Sequence, residues 1–450
     1  MKPRGGESAW AKLHSPAMTK FNALAASVLA AALVVAVAPG TAGAAASPAA
    51  SPGPLVTTGP VFNDPTDPAK QEAIFGYLSH LIDGALPGST IMTSQWALNS
   101  DWLADRLSAA HLRGVNVQVL LDHTSVDTPA GAQAHGRLVT GLAQASSATS
   151  WVRVCPLHEA CLAKDPNPAD TYYSNNHNKF WLFSSTTGSS TGTVPVDNVV
   201  VQTSANQTPW DRQTAWNDAM TVAGNADLFD DYAGYFATLS AAQQGRTPQV
   251  ADYPVAYQAG PAKVYFFPRA TTDPIVDILN TVATPVNGQP ACFGNSAGYG
   301  TTDGRTVIRV AMHHISRIEV ARKLWELDNA GCYVDVVYRM VDTIGTSVLT
   351  QLTQPTRYGG IALHQLNDDV AGHTATHSKY LLVEGGYKGL PNQKIVWTGS
   401  HTYTYMALTS NDEALLKYDD PAVHDAYRSN FWAQRAAADA QNAPAATPSP

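Results

Sequence analysis

The sequence predicts an α/β protein with two similar α/β/α lobes, each built on a mixed sheet. A strand–helix–strand pattern occurs twice, each of its helices ends at a glycine, and a His-x-Lys triplet follows each copy. Strand–helix–strand units form parallel strand pairs with the helix packed outside the sheet. Because both halves carry the same signals in the same order, we expect the lobes to pack about a pseudo-twofold axis.

The two copies match element by element. The first has strands at residues 89–96 and 115–121 around a helix at residues 101–113. The second has strands at residues 306–312 and 332–338 around a helix at residues 318–330. Apolar residues recur every three to four positions in both helices, as in a helix with one buried face. Gly114 and Gly331 follow the helices, where glycine accepts the left-handed cap conformation.

The chain ends differ in composition from the interior. Residues 1–44 read as a signal peptide, with basic residues, a short apolar run and small residues at a cleavage site. An uncleaved anchor is the alternative. Residues 45–54 read as a flexible leader and residues 436–450 as a disordered tail. A segment rich in glycine and proline separates the lobes, which we place at residues 55–250 and 251–435.

Cysteine content agrees with export. The four cysteines allow three pairings, and none forms a CxxC motif. Cys155 and Cys161 suit a small looped disulfide, which leaves Cys292 and Cys332 as the second pair. The sequence therefore predicts a secreted protein with two disulfides, with free thiols as the alternative.

The charge of the chain disfavours some partners. The precursor has a net charge of −8, and residues 1–44 hold four basic side chains against one acidic, a net +3, so the mature chain carries −11. An acidic protein lacks the basic surface that gives strong binding to nucleic acid or to an anionic membrane. A local basic groove remains compatible with this charge.

The two triplets carry the chemistry. His177 and Lys179 lie two residues apart at the start of an apolar strand, as do His377 and Lys379. Strand alternation places such residues on one face. Two such faces brought together would surround one point with two imidazoles and two cations. That set suits phosphodiester cleavage, which needs a nucleophile, a proton donor and positive charge near the phosphoryl oxygens.

Matching polar segments follow each triplet. One contains Ser204, Asn206 and Asp218, and the other contains Ser400, Thr402 and Glu413. A single His-x-Lys triplet is weak support for any function, but two copies with such segments resemble the phospholipase D superfamily. The resemblance covers residues 55–435 and implies a phospholipase D-like fold with one active site shared by both lobes.

The resemblance also implies residue roles. His177 would attack phosphorus and form a phosphohistidine, and His377 would act as acid and base, although the local sequence does not decide between them. Lys179, Lys379 and Asn206 would bind the phosphoryl oxygens. Further substrate contacts are expected from Ser204, Ser400 and Thr402. Asp218 and Glu413 would accept hydrogen bonds from the imidazoles. No metal or other cofactor is implied.

Three departures from the family pattern affect these expectations. Ser184 and Glu384 stand where the family has aspartate after each triplet, and Thr402 replaces an asparagine. Ser184 and Thr402 motivate the alternative of a catalytically weakened lipid-binding module. His313 and the aromatic residues Trp96 and Trp210 could line the cleft, but ordinary packing or solvent exposure is the default expectation for each.

The sequence thus predicts a secreted phosphodiesterase that hydrolyses phospholipid headgroups, with transfer to alcohols as a second outcome. A secreted nuclease of the same superfamily is the other enzymatic alternative. We expect a phospholipid substrate in preference to nucleic acid, no stable membrane insertion after signal removal, and a monomer.

Overall fold

The computed structural model describes residues 56–143, 149–167, 172–286, 289–343 and 347–443. The predicted signal peptide at residues 1–44 and leader at residues 45–54 lie outside the described residues. Across the helices described, none is both long enough and apolar enough to span a membrane.

The first half folds into a seven-stranded mixed sheet with helices packed on it. Its strands are β1 (Gly59–Phe62), β2 (Thr90–Gln95), β3 (Asn116–Leu121), β4 (Trp151–Val154), β5 (Lys179–Thr186), β6 (Val196–Thr203), β7 (Ala215–Trp216) and β8 (Asp218–Val222). Its helices are α1 (Ala73–Asp83), α2 (Asp101–Leu112), α3 (Pro129–Leu142), α4 (Pro209–Gln213) and α5 (Ala226–Gln243), with a 3₁₀ turn at His123–Ser125. The strand order of the sheet is β4-β3-β2-β5-β6-β8-β1, and β7 lies outside this sheet. Strands β2, β3 and β4 are parallel, and the other neighbours are antiparallel.

The second half repeats this architecture in an eight-stranded sheet. Its strands are β9 (Ala256–Ala259), β10 (Ala262–Phe266), β11 (Thr284–Val286), β12 (Gln289–Ala291), β13 (Val307–Ile315), β14 (Tyr333–Val341), β15 (Ala362–Gln365), β16 (Ala375–Thr376), β17 (Lys379–Tyr387), β18 (Leu390–Gly399) and β19 (Ala414–Asp419). Its helices are α6 (Pro274–Asn280), α7 (Ile318–Asn329), α8 (Val348–Leu352), α9 (Tyr405–Thr409) and α10 (Pro421–Gln441). The strand order is β15-β14-β13-β17-β18-β19-β10-β9, and β11 pairs with β12 in a separate hairpin.

The two sheets have the same topology over seven strands. Strands β4-β3-β2-β5-β6-β8-β1 of the first sheet correspond in order to β15-β14-β13-β17-β18-β19-β10 of the second. In both, the predicted strand–helix–strand unit forms the parallel pair, β2 with β3 and β13 with β14. The duplicated α/β fold predicted from the sequence is therefore confirmed.

Apolar residues on both faces of the central strands explain how the layers pack. In β5, Phe180 and Leu182 enter a core between the sheets, while Trp181 and Phe183 enter the outer core of the first half. Neighbouring side chains on a strand point to opposite faces, so such a strand is covered on both sides. Helices α5 and α10 lie in the core between the sheets and contribute side chains from both halves.

The helix ends follow the sequence signals. The Ser100 hydroxyl accepts a hydrogen bond from Leu103 N (3.3 Å) at the start of α2, which satisfies an otherwise unpaired backbone donor. Gly114 (φ +93°) and Gly331 (φ +104°) follow α2 and α7 in left-handed conformations that favour glycine.

Both predicted disulfides are present. Cys155 bonds to Cys161, and Cys292 bonds to Cys332, so no cysteine in the described part of the chain is free. The second bond joins the segment after β12 to the residue before β14. The pairing that the sequence left open is thereby confirmed.

The C-terminal boundary needs correction. Residues 436–450 were predicted to be a disordered tail, but α10 continues to Gln441. Ala438 is buried, and Gln441 Oε1 accepts hydrogen bonds from Thr374 N (2.9 Å) and Oγ1 (2.8 Å). Alanine is the strongest helix former, and here its small side chain packs on the core. Residues 444–450 lie outside the described residues.

Candidate active site

Both His-x-Lys triplets lie where equivalent central strands begin. Strand β5 starts at Lys179 and β17 at Lys379, so each histidine stands two residues before its lysine at the strand entrance. Lys179 Nζ donates a hydrogen bond to the His177 carbonyl oxygen (2.8 Å), and Lys379 Nζ donates to that of His377 (2.6 Å). Each ammonium group is thereby held beside its own imidazole.

Each triplet is hydrogen-bonded to a segment from the other half. Strand β7 pairs in parallel with β16, and His377 N donates to Trp216 O (2.9 Å). Likewise, a parallel bridge joins Asn176 to Asp412, and His177 N donates to Asp412 O (2.9 Å). These contacts bring the two triplets to one interface, as the shared-site hypothesis requires.

The His177 imidazole is anchored by the second half. Its Nδ1 lies 2.8 Å from Glu413 Oε1, and 17% of its side-chain surface is exposed. The predicted contact between Glu413 and an imidazole is therefore present. Burial, and then the charges of Lys179 and Lys379, hold the pKa of His177 well below its usual 6.5. The Trp96 ring packs edge-on, with its centroid 5.6 Å from that of the imidazole.

The His377 imidazole is anchored by the first half through two acceptors. Its Nδ1 lies 2.9 Å from Asn217 Oδ1 and 3.0 Å from Asp211 Oδ1. Burial, and then Lys379 and Lys179, lower the pKa of His377 well below 6.5. Because their charges act on both imidazoles, the two lysines and two histidines share one centre.

Asp218 does not contact an imidazole, which corrects the prediction for this residue. Its buried carboxylate accepts hydrogen bonds from Tyr427 OH (2.9 Å) and from Thr398 Oγ1. The prediction was wrong by one residue. Strand β8 begins at Asp218, and Asn217, immediately before it, is the side chain that faces His377.

The predicted substrate contacts occupy different surroundings. Ser204 and Ser400 are fully buried, and their hydroxyl groups accept backbone hydrogen bonds from β8 and β19 (3.0 and 3.1 Å). The two serines therefore hold the first residues of β8 and β19 in place. Asn206 N donates to Asp211 Oδ1 (3.0 Å), while its own buried Oδ1 has no partner. The Thr402 hydroxyl lies 3.1 Å from that of Thr404.

Two departures from the family pattern have structural contacts. Ser184 Oγ accepts a hydrogen bond from Thr90 N (2.8 Å). The Glu384 carboxylate binds Arg309 (2.8 Å) and Arg428 (3.1 Å) and so joins β17 to β13 and α10. Both residues lie on strands that carry a triplet, so they help to hold the strands that position the histidines.

Burial dominates the electrostatics of the site. It lowers the pKa of Lys179 to about 8, and burial together with the charge of Lys179 lowers the pKa of Lys379 strongly. Burial raises the pKa of Glu413 to about 8 against the attraction of Lys179, and that of Asp211 to about 6. All these shifts disfavour the charged forms of the four side chains, and an anion between the lysines would favour the charged forms of the lysines.

A further group of side chains flanks His377. The His313 ring lies edge-on to it, with the centroids 4.8 Å apart, and the Trp210 ring lies 5.2 Å away. Asp368 accepts hydrogen bonds from Trp210 Nε1 (2.8 Å) and Arg339 Nε (2.9 Å). His313 was expected to pack elsewhere or face solvent, but it lies beside His377 together with Trp210.

Sequence reasoning missed Asp211 and Asn217. Asn217 follows Ser204 at the same interval that separates Glu413 from Ser400, so counting from the serines would have identified it. The search favoured an acidic residue and therefore chose the neighbouring aspartate. Asp211 has no counterpart in the second half, so the comparison of the two copies gave no signal for it.

A cavity of about 710 Å³ opens beside Trp210. Its lining is partly apolar and partly polar and comes from both halves. Other lining residues include Thr66, Gln213, Asp368, Val370, His373 and Gln441. Neither lysine nor arginine occurs among the described residues that line it. Trp210 thus separates His377 from a recess that lacks permanent positive charge.

The chemistry available is that of two anchored imidazoles and two buried amines. Among the described residues, no three His, Cys, Asp or Glu side chains cluster as metal ligands. One imidazole can attack an electrophile while the other transfers a proton, and the amines can balance charge on phosphoryl oxygens.

Comparisons with known proteins agree with this geometry. A family model described as "Cardiolipin synthase, PLD-like domain" matches residues 303–435. No curated protein matches the chain.

Several solved structures also resemble it. Polyphosphate kinase from Porphyromonas gingivalis aligns with a TM-score of 0.52 and 12% identity over 83% of this chain and 50% of that one. Phosphatidylserine synthase from Haemophilus influenzae aligns with a TM-score of 0.49 and 10% identity over 79% of this chain and 83% of that one. Nuc from Salmonella typhimurium, described as a phospholipase D family member, gives a TM-score of 0.26 and 16% identity over 38% of this chain and 92% of that one.

The structural likenesses concern the fold, and this chain spans half the length of the polyphosphate kinase. The family model covers residues 303–435 of the second half, and the first half repeats the topology and the His-x-Lys triplet of the second. The chain therefore has a phospholipase D-like α/β fold whose second half contains a PLD-like domain.

Proposed function

We propose that this protein is a secreted phosphodiesterase that hydrolyses phospholipid headgroups through a phosphohistidine intermediate. One observation carries the proposal: Nδ1 of each triplet histidine is anchored by acceptors from the opposite half. This anchoring leaves Nε2 of His177 and of His377 available for chemistry at the common centre.

In the first step, His177 Nε2 attacks phosphorus, and the bond from phosphorus to the leaving oxygen breaks. His377, protonated at Nε2, gives its proton to that oxygen. Asn217 and Asp211 both accept at Nδ1 of His377 and so favour its imidazolium form. At His177, Nδ1 contacts the carboxyl group of Glu413 alone among the described side chains. The additional acceptor at His377 supports His377 as the acid and His177 as the nucleophile.

In the second step, His377 takes a proton from water, and the resulting hydroxide attacks phosphorus. The nitrogen–phosphorus bond breaks, which returns His177 to its neutral form and releases the phosphomonoester. An alcohol in place of water would give a transferred phosphodiester by the same route. Lys179 and Lys379 balance the negative charge of the phosphoryl oxygens in both steps, and Asn206 adds an amide donor.

A lipid suits the site better than nucleic acid. The mature chain carries about eleven net negative charges, and the cavity beside Trp210 lacks basic lining residues among those described. Nucleic-acid binding depends on several lysine or arginine contacts to phosphates. A phospholipid presents a single phosphodiester and does not require such a row of basic contacts.

The setting of the reaction is part of the proposal. We infer that residues 1–44 direct export and are removed, and the two disulfides support an oxidising compartment. The mature chain would act as a monomer on lipid without stable insertion into the membrane.

A substrate comparison tests the function. The protein is incubated in EDTA with short-chain phosphatidylcholine and, separately, with plasmid DNA. We expect choline release without nicking. Nicking without choline release would identify a nuclease instead. If the protein neither releases choline nor nicks DNA, a binding module is favoured.

Variants then test the mechanism. His177→Ala and His377→Ala should each lower kcat by at least about 10³-fold, because each removes a bond-making or proton-transferring group. His80→Ala, which removes an exposed imidazole on α1, is the matched control and should keep full activity. Mass spectrometry of His377→Asn after brief exposure to substrate should show acid-labile phosphate on His177. Near-normal turnover in either active-site variant would contradict the assigned roles.

A further inference from the structure

The shared topology allows the two halves to be compared position by position. The hydroxyl groups of Ser204 and Ser400 accept equivalent backbone hydrogen bonds (3.0 and 3.1 Å) from residues fourteen positions later. Asn217 therefore occupies in the first half the position that Glu413 occupies in the second. Each contacts the imidazole of the opposite half, but only Glu413 can supply negative charge.

A carboxylate reaches His377 from a different place in the backbone. Thr208 caps α4, and the residue whose backbone N–H it accepts is Asp211 (3.3 Å). Thr404 caps α9 in the same way, but the corresponding residue there is Ala407 (3.2 Å). The first half thus combines an aspartate on the short helix with an amide before β8, whereas the second combines an alanine with a glutamate before β19.

The hydrogen bonds around Asp211 fix the orientation of the groups that face His377. Asn217 Nδ2 donates to the carbonyl oxygens of Asp211 (3.0 Å) and Ala215 (3.4 Å), so its Oδ1 is directed toward the imidazole. Asp211 Oδ1 accepts from Asn206 N (3.0 Å). Since both neighbours of His377 Nδ1 are acceptors, that nitrogen carries a proton and Nε2 faces the site.

We propose that Asp211 is the positioning residue of His377 and replaces, from helix α4, the carboxyl group that Glu413 provides to His177. Asn217 keeps the hydrogen bond of the equivalent position without its carboxyl group. This inference rests on the proposed phosphohistidine reaction, in which His377 alternates between imidazole and imidazolium. Asp211 stabilises the imidazolium and fixes the ring without touching substrate.

The kinetic test moves the carboxylate between positions. Asp211→Asn should lower kcat about 10²-fold and change KM less than threefold, because substrate contacts remain. The double variant Asp211→Ala with Asn217→Glu recreates the arrangement around His177. Its kcat should be at least tenfold higher than that of Asp211→Asn. Asp277→Asn, which changes an exposed aspartate in the first turn of α6, is the matched control and should leave kcat within about threefold of wild type.

A substrate-independent measurement separates this inference from the proposed function. NMR titration of the His377 ring in the free protein, assigned with His377→Asn, should show a lower pKa in Asp211→Asn and a return toward the wild-type value in the double variant. These shifts are expected even if the natural substrate is not a phospholipid.

Two results would overturn the inference. An unchanged His377 titration in Asp211→Asn would show that the carboxylate does not stabilise the imidazolium. A loss of kcat that the folded double variant does not recover would assign Asp211 a structural role in α4. Circular dichroism of both variants establishes that the fold is intact.

Discussion

His177 and His377 share a buried centre with two lysines. Positive charge on any one of these four groups disfavours positive charge on the others. Burial and the neighbouring cations lower the pKa of both imidazoles below 6.5. Both rings therefore favour their neutral forms near pH 7. A bound phosphodiester anion would reverse part of this effect, because negative charge between the lysines favours an imidazolium.

This electrostatic balance predicts an acidic optimum for kcat/KM. In the proposed reaction, activity requires a neutral His177, so activity falls as pH drops below the pKa of that residue. It also requires a protonated acid, so it falls as pH rises above the pKa of His377. Since both pKa values in the free enzyme lie below 6.5, the bell-shaped profile of kcat/KM should be centred below pH 6.5.

The profile of kcat provides the comparison. It reports on the enzyme–substrate complex, where the phosphodiester raises the imidazole pKa values, so its optimum should lie at higher pH than that of kcat/KM. Stopped assays with a soluble short-chain phosphodiester between pH 4 and 9 measure both. A kcat/KM profile centred above pH 7 would show that the free imidazoles are not depressed as inferred.

At the scale of helices and strands, two neighbouring side chains at the start of β8 have different roles. Asn217 faces His377, while Asp218 begins β8 and turns toward β18 and α10 of the other half. The buried Asp218 carboxylate accepts hydrogen bonds from Thr398 and Tyr427, so it joins the two sheets rather than serving the imidazole.

Asp218→Asn should therefore destabilise the fold and spare the chemistry. Replacing a buried carboxylate acceptor by an amide weakens two hydrogen bonds and should lower the free energy of unfolding by about 1–3 kcal/mol. We expect kcat to stay within about threefold of wild type. Urea unfolding and initial rates on the same preparation measure the two effects. A large loss of kcat with unchanged stability would instead show that Asp218 has a catalytic role.

The same segment shows how far the sequence could predict the site. Periodicity and glycine caps specify β2, α2 and β3 because they reflect local backbone geometry. The contact between Asp211 and His377 depends instead on how α4 lies across the interface with the other half. No local pattern encodes that placement, and a single aspartate near a threonine cap is common in ordinary helices.

At the scale of the whole molecule, the two halves share a core as well as a site. The cluster between the sheets includes Phe180 and Tyr235 from the first half together with Phe266, Tyr380 and Tyr427 from the second. The Tyr235 and Phe266 rings stack with centroids 4.1 Å apart. Neither half could bury this surface alone, so the interface that forms the site also contributes to the stability of both sheets.

The shared core predicts that the protein unfolds in one cooperative transition. Calorimetry of the disulfide-intact chain should give a single peak with matching calorimetric and van't Hoff enthalpies. Phe266→Ala, in the core between the sheets, and Leu138→Ala, in the outer core of the first half, each remove a buried side chain. Each should destabilise by about 2–5 kcal/mol and shift the entire peak to lower temperature. Two resolved transitions, with Leu138→Ala shifting only one of them, would show that the lobes unfold independently and that their interface adds little stability.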